Sequence, residues 1–318
     1  IIFIVTSGSG SARAEWVGIL DQGAINRINE ARPSNPSILS RLTYNKVTYF
    51  ASTAFFNYLS YFSPQYLAIE GGTQYQYSVP LFGVINPVEL PFFYIGLVVL
   101  LWKFPKLSHV KKFIVVWLLL APIPAAISRD PYQVVRSTTM LPVVYLIIVF
   151  GMSSFYRLLK TRALQIGVGL ILAVALIGFF VRYFNNFWFI YPNQYSFAWQ
   201  YGYKQVAEYI KASGELYPEI LITKKYGEPH EFLLFYLKYD PASYKGDLNL
   251  VRYEKSNWLW VDGFGKYKFV NDWEVIEKTQ GKKDALVITS PGNYPKEGTV
   301  MQTINFLDGK PAFDIVRL

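Results

Sequence analysis

The stretch LQIGVGLILAVALIGFFVRY, Leu164 to Tyr183, decides the fold. It carries no charge before Arg182. A hydrocarbon core about 30 Å thick is crossed by about 20 mostly apolar helical residues. The stretch therefore predicts a membrane-spanning helix. Three similar runs precede it, Val88–Trp102, Phe113–Ile127 and Met140–Phe155. The second and third are a little short, and their interfacial ends can complete the crossing. The block from Asn86 to Phe184 thus predicts four membrane-spanning helices.

The breaks between these runs orient them. Lys103, Lys106, Lys111 and Lys112 crowd the first break, and Arg157, Lys160 and Arg162 the third. Basic residues collect in cytoplasmic loops. The middle break, SRDPYQVVRS at Ser128–Ser137, then faces outward. So do the segment before Asn86 and everything after Phe184. The net charge of +9 resembles a nucleic-acid signal, but much of it lies in these topology-setting loops, so no nucleic-acid partner is expected. With no cysteine and two histidines, His109 and His230, disulfides, thiolate sites and a histidine metal cluster are excluded. No cofactor is indicated, and dependence on a divalent metal is not legible. The chain opens IIFIVTSGSG, without the charged leader and cleavage pattern of a signal peptide. Ile1–Val5 reads as the outer end of another membrane helix. Ser7–Gly10 is a small-residue loop with no Gly-Lys-Ser/Thr after it, so it is not a P-loop.

Four parts follow in order. Residues 1–7 are the end of a membrane helix. Residues 8–85 form an external loop with an amphipathic interfacial helix. Residues 86–184 are the four-helix membrane region, and residues 185–318 an extracytoplasmic α/β domain. The fold class expected is a membrane all-α region followed by a C-terminal α/β domain.

Within the external loop, Gly23–Arg32 (GAINRINEAR) reads as a short helix ended by Pro33 and Pro36. Arg27, Asn29 and Glu30 make it either a solvated surface or the polar rim of an external site. Ile38–Phe62 repeats apolar and aromatic residues at helical spacing among Thr, Asn and Ser, the pattern of a helix lying in the outer interface. Ser63–Pro80 carries Glu70, Gln74, Tyr75, Gln76, Tyr77 and Ser78. Such a strip serves an interfacial loop, and it also suits a polyhydroxylated ligand. Arg129 and Arg136 in the outward loop can reach lipid phosphates or fork onto a substrate phosphate. Asp130 can orient Arg129.

After the aromatic belt Phe184–Tyr203, the composition shifts. Tyr203–Ser213 reads as an amphipathic helix, Glu219–Thr223 and Ala285–Thr289 as strands, and Glu228–Tyr239 as a helix. Asp308-Gly309 reads as the turn of a terminal hairpin. His230 stands alone, without a cysteine or a nucleophile elbow.

Several stretches are similar to one family. They include RINEAR at 27–32, R-L-x-x-N-K at 41–46, N-Y-L-S-x-F-S-P at 57–64 and E-G-G-x-x-x-x-Y-S-V-P at 70–80. L-P-F-F-Y-I-G-L at 90–97, A-P-I-P-A-A at 121–126 and V-V-R-S-x-x-x-L-P at 134–142 continue the likeness. W-x-Y-G-Y-K at 199–204 and F-L-L-F-Y-L-K-Y-D-P at 232–241 extend it into the last domain. The chain resembles bacterial dolichyl-phosphate-mannose-protein mannosyltransferase-like proteins of the GT-C superfamily. The resemblance implies transfer of a sugar from a polyprenyl-phosphate carrier to a glycan, lipid or protein acceptor at the outer face of the bilayer. The family's Arg-Ser pair matches Arg136-Ser137, and Arg136 and Arg129 are both placed to serve the donor phosphate. Arg27, Asn29, Gln74, Tyr75, Tyr77 and Ser78 are the candidate sugar or acceptor contacts. Relatives often carry His where this sequence has Tyr77. The family's catalytic acid lies in a first external loop, expected upstream of residue 1. Glu30, Glu70 and Asp130 are the outward candidates for such an acid within the chain. The other class that fits is a non-enzymatic membrane protein that binds or transports lipid-linked glycan. A transporter would carry ionisable groups or broken helices at mid-membrane, and these runs show only the Pro122/Pro124 break.

Overall fold

The computed structural model describes residues 17–33, 37–255 and 258–318. The readings of Ile1–Val5, Ser7–Gly10 and Pro36 lie outside these residues. The chain divides into two compact units, the first ending at Phe187 and the second running from Trp188.

In the first unit, Asp21 caps helix α1 (Gln22–Ala31) by accepting from the Ala24 amide at 2.7 Å. Ala24 and Ile28, four apart, are its buried stripe. The stretch expected as one interfacial helix forms two, α2 (Ile38–Thr43) and α3 (Lys46–Ser60). Asn45 breaks them and caps the second, accepting from the amides of Val47 and Thr48. The apolar side of α2 and α3 points away from the protein. Ile38, Leu39, Leu42, Val47, Phe55 and Phe56 are all more than half exposed. The inward side is polar instead. Asn57 donates to the carbonyls of Ala126 and Ser128 at 3.2 and 3.0 Å, and these lie at and just past a helix C-terminus, where acceptors lack intrahelical partners.

Among the described residues, three helical runs are long and apolar enough to cross a membrane, His109–Ala126, Val134–Tyr156 and Arg162–Gln194. The first expected span is shorter, an apolar run over Pro87–Trp102, about 24 Å at 1.5 Å per residue. Its start is fixed by a reciprocal cap in which the Glu89 carboxylate accepts from the Asn86 amide at 2.9 Å. Within these runs lie α4 (Leu90–Trp102), α5 (His109–Leu120), α6 (Ile123–Ala126), α7 (Val134–Ser137), α8 (Leu141–Tyr156) and α9 (Arg162–Asn185). Helices α4 and α8 meet at Gly96 and Gly151. A Cβ at Gly96 would overlap the Ile147 carbonyl, and one at Gly151 the Phe92 carbonyl. Small residues that let backbones touch are the usual device for packing helices in lipid. The core around them includes Phe93, Leu118, Val143 and Ile147, all fully buried. Helix α9 buries no residue. An apolar helix that leaves most of its surface uncovered by protein suits an apolar surrounding.

The second unit is built on a seven-stranded mixed sheet, ordered β2-β3-β4-β1-β5-β7-β6. The strands are β1 (Glu219–Thr223), β2 (Val251–Lys255), β3 (Trp258–Phe264), β4 (Tyr267–Val270), β5 (Ala285–Thr289), β6 (Thr299–Asn305) and β7 (Pro311–Arg317). The central strand β1 runs parallel to β4 and β5, and the remaining pairs are antiparallel. Alternation sorts the side chains. Ile220, Ile222, Leu286 and Ile288 join one core with Val206 and Ile210 of α10 (Tyr203–Ser213) and Leu233 of α11 (Pro229–Tyr236). Leu221, Ala285 and Val287 join a second core with Val275 of α13 (Val275–Thr279). Helices therefore cover both faces of β1 and β5, which explains why these strands read as unbroken apolar runs. Helix α12 (Pro241–Lys245) lies between α11 and β2 in the chain. The hairpin expected at Asp308-Gly309 joins β6 to β7, with Gly309 at φ 84°.

Candidate functional site

The loop sequence Ser128–Ser137 is held from three directions. Gly18 bridges Ser128, and the Arg129 amide donates to the Val17 carbonyl at 2.8 Å. Asn57 holds the carbonyl of Ser128. Thr73 donates to the carbonyl of Pro131 at 3.1 Å. Tyr132 sits at φ 55°, a left-handed conformation that costs a non-glycine residue about 1–2 kcal/mol. The ring it positions stacks on Tyr66, with centroids 5.5 Å apart. Strain of this kind persists only where surrounding contacts over-determine it.

Arg129 is neutralised in place. Its guanidinium lies 3.1 Å from Asp21 and 3.7 Å from Asp130. Asp21 also faces Arg27 at 3.9 Å. The Ala24 amide, then Arg129, hold the Asp21 carboxyl below its ordinary range. Arg27 in turn donates to the Tyr49 hydroxyl at 2.9 Å.

Arg136 differs. It is half-buried, donates to the Ser128 hydroxyl, and has no carboxylate at ion-pair distance among the described residues. Beneath this loop lie two buried tyrosines, Tyr61 and Tyr66, ring edge to ring face at 4.9 Å. The Gln133 amide donates to the Tyr61 hydroxyl at 2.8 Å. Ser137 donates to the Gln133 carbonyl, which leaves its oxygen to accept from Tyr66 at 2.5 Å. Burial pushes Tyr61 up to about 12 and Tyr66 upward as well. Both hydroxyls are neutral near pH 7. The arrangement is a half-buried cation beside a neutral, buried hydrogen-bonding floor, where a charge acts more strongly than in water.

The predicted residues divide in space. Arg129, Asp130 and Arg136 share the loop, and Arg27 meets it through Asp21. The turn holding Ser78 packs on it as well, since a Cβ on Gly72 would overlap Val134. Ser78 is used within that turn, accepting from the Gly72 amide at 2.8 Å. Gln74 is half-buried, and Tyr75 and Tyr77 are exposed. Asn29, Glu30 and Glu70 are exposed, and among the described residues no ion pair or side-chain hydrogen bond joins them to Arg27, Arg129 or Arg136. Asp21, Tyr61, Tyr66, Ser128 and Gln133 were not singled out by sequence. Asp21 had one local signal, an acidic residue just before a helical run.

A second feature was also missed. A cleft of about 550 Å³ is lined by Ile69, Phe82 and Ile85, by Tyr145 of α8, and by Phe179, Phe180 and Arg182 of α9. Its walls are mainly apolar, and Arg182 is its one lining cation. The Arg182 guanidinium stands 5.0 Å from the centre of the Phe82 ring. Among the described residues, no three His, Asp or Glu side chains are grouped to hold a metal ion. Comparison with known protein families, curated proteins and solved structures finds no match to this chain.

Proposed function

We propose that this chain acts in a membrane-embedded glycosyltransferase, moving a sugar from a polyprenyl-phosphate carrier to an acceptor at the outer face of the bilayer. Its lysine-rich breaks lie in the cytoplasm. The arginine loop, the tyrosine-rich turn and the C-terminal unit face outward. The observation that carries the reading is Arg136, a half-buried guanidinium bonded to a neutral hydroxyl at the start of a helix long enough to span. When the sugar leaves its carrier, negative charge grows on the departing phosphate. A preorganised cation in a water-poor site stabilises that charge. Arg136 has the free valence for this role. Arg129 is already matched by Asp21 and Asp130, so it shapes the loop. The cleft between α8 and α9 suits the prenyl chain, with Phe179 and Phe180 against hydrocarbon and Arg182 near the polar end. The outward apolar sides of α2 and α3 rest in the outer leaflet.

The alternative, binding or transport of a lipid-linked glycan without chemistry, would use the same cleft. One assay separates the two. The protein in nanodiscs is given a radiolabelled polyprenyl-phosphate sugar and a mixed glycan and lipid acceptor pool. Transfer is expected, with Arg136→Ala lowering it by about 100-fold or more while thermal stability is retained. Unchanged turnover in Arg136→Ala would remove the phosphate role. Donor binding with no turnover by the unaltered protein would favour the alternative.

A further inference from the structure

The second unit has its own cleft, remote in sequence from the arginine loop and of about 610 Å³. That volume lies in the range of small-molecule sites. One wall is the sheet edge. Arg252 pairs with Val261 and Glu254 with Leu259 across β2 and β3, so all four side chains share one face. The other wall is the first turns of α11, with Glu228, His230, Glu231 and Leu234. Tyr244 closes one side.

Several charged side chains of the unit are held in ion pairs. Lys224 pairs with Asp262, Lys225 with Asp272, and Lys268 and Lys282 with Glu219. In the cleft, Glu231, Arg252 and Glu254 have no ion pair among the described residues. Glu228 Oε2 and His230 Nδ1 are buried, 3.5 Å apart, and neither has a hydrogen-bond partner. Unpaired buried polar atoms are uncommon in native proteins, so each calls for an explanation. Desolvation raises the Glu228 carboxyl and lowers the His230 imidazole, so His230 carries no charge at neutral pH.

The mixture of signs selects the ligand class. An anion would meet three carboxylates, and a polycation would meet Arg252. A neutral polyhydroxylated molecule can use both at once, with hydroxyl hydrogens on the carboxylates and hydroxyl oxygens on the guanidinium. Leu234, Leu259 and Val261 offer apolar surface to the C–H face of a ring. We infer that this cleft between α11 and the β2–β3 edge binds a pyranose sugar. Under the proposed transfer this sugar belongs to the acceptor. That role rests on the transferase reading, whereas the binding itself does not.

The test is saturation-transfer NMR on the full chain in nanodiscs without donor lipid. The probes are the methyl pyranosides of mannose, glucose and galactose, with spermidine as the cationic comparison. At least one pyranoside is expected to receive saturation at its ring protons. The double substitution Arg252→Gln and Glu254→Gln should reduce that signal at least fivefold with the melting temperature unchanged. Arg136→Ala, which probes the transfer chemistry, should leave it intact. Absence of pyranoside signal would overturn the inference, as would a pyranoside signal that the double variant does not reduce. A spermidine signal that the variant abolishes would reassign the cleft to cations. None of these three results would touch the transfer assay.

Discussion

Tyr61 shows how the arginine loop is kept in shape. Its hydroxyl is the acceptor for the Gln133 amide, and both groups are buried. Removing the hydroxyl leaves that N–H without a partner, which costs about 1–3 kcal/mol. Tyr61→Phe should therefore lower the thermal unfolding midpoint of the purified protein measurably, whereas Tyr77→Phe, on an exposed side chain, should leave it unchanged. Equal midpoints for all three proteins would mean that Tyr61 does not support the loop. The arginines of this loop were legible because a short polar break between apolar runs stands out in a sequence. Their partners were not. Asp21 lies 108 positions from Arg129, and Tyr61 lies 72 from Gln133. Pairings over such separations leave no periodic trace, so the local pattern around Tyr61 reads only as aromatic.

Among the elements, the helical crossing of α4 and α8 is the most exacting. Phe92 and Ile147 place carbonyls where a side chain on Gly151 or Gly96 would have to go. Inserting bulk into a packed contact costs about 1–3 kcal/mol or more. Gly151→Leu should force the helices apart and lower heat stability in detergent. Gly178→Leu is the matched control, because Gly178 on α9 has open space around it. Similar losses in both variants would contradict the close crossing. Periodicity located these helices well, but it left orientation open. For α3 it indicated an amphipathic helix and gave no sign of which side turned inward, a choice settled by the carbonyls that Asn57 caps. Strands β1 and β5 and the final hairpin were readable from apolar runs and a turn dipeptide. Strand β2 escaped because it is short and exposed along its length, so that its alternation of Val251 and Tyr253 with Arg252 and Glu254 marks no buried face. The proposed sugar cleft was hidden with it, since one of its walls is that strand.

For the molecule as a whole, the two units dispose of their apolar residues differently. In the first, α9 has no fully buried residue and leaves much of its apolar surface exposed. In the second, the apolar residues of β1 and β5 are enclosed between helices. Composition alone announced both, through the apolar runs and the shift after Phe184. The unit boundary falls at Phe187, close to the expected end of the membrane region at 184. The proposed transferase requires the tyrosine-rich turn and the C-terminal unit to share one side of the bilayer, opposite the lysine-rich break. The chain contains no cysteine, so single cysteines report position without background. Gln76→Cys, Lys106→Cys and Leu318→Cys are each exposed to a membrane-impermeant maleimide on intact cells. The account predicts labelling at positions 76 and 318 in intact cells, and at position 106 only after permeabilisation. Labelling of 76 and 318 from opposite sides would contradict it.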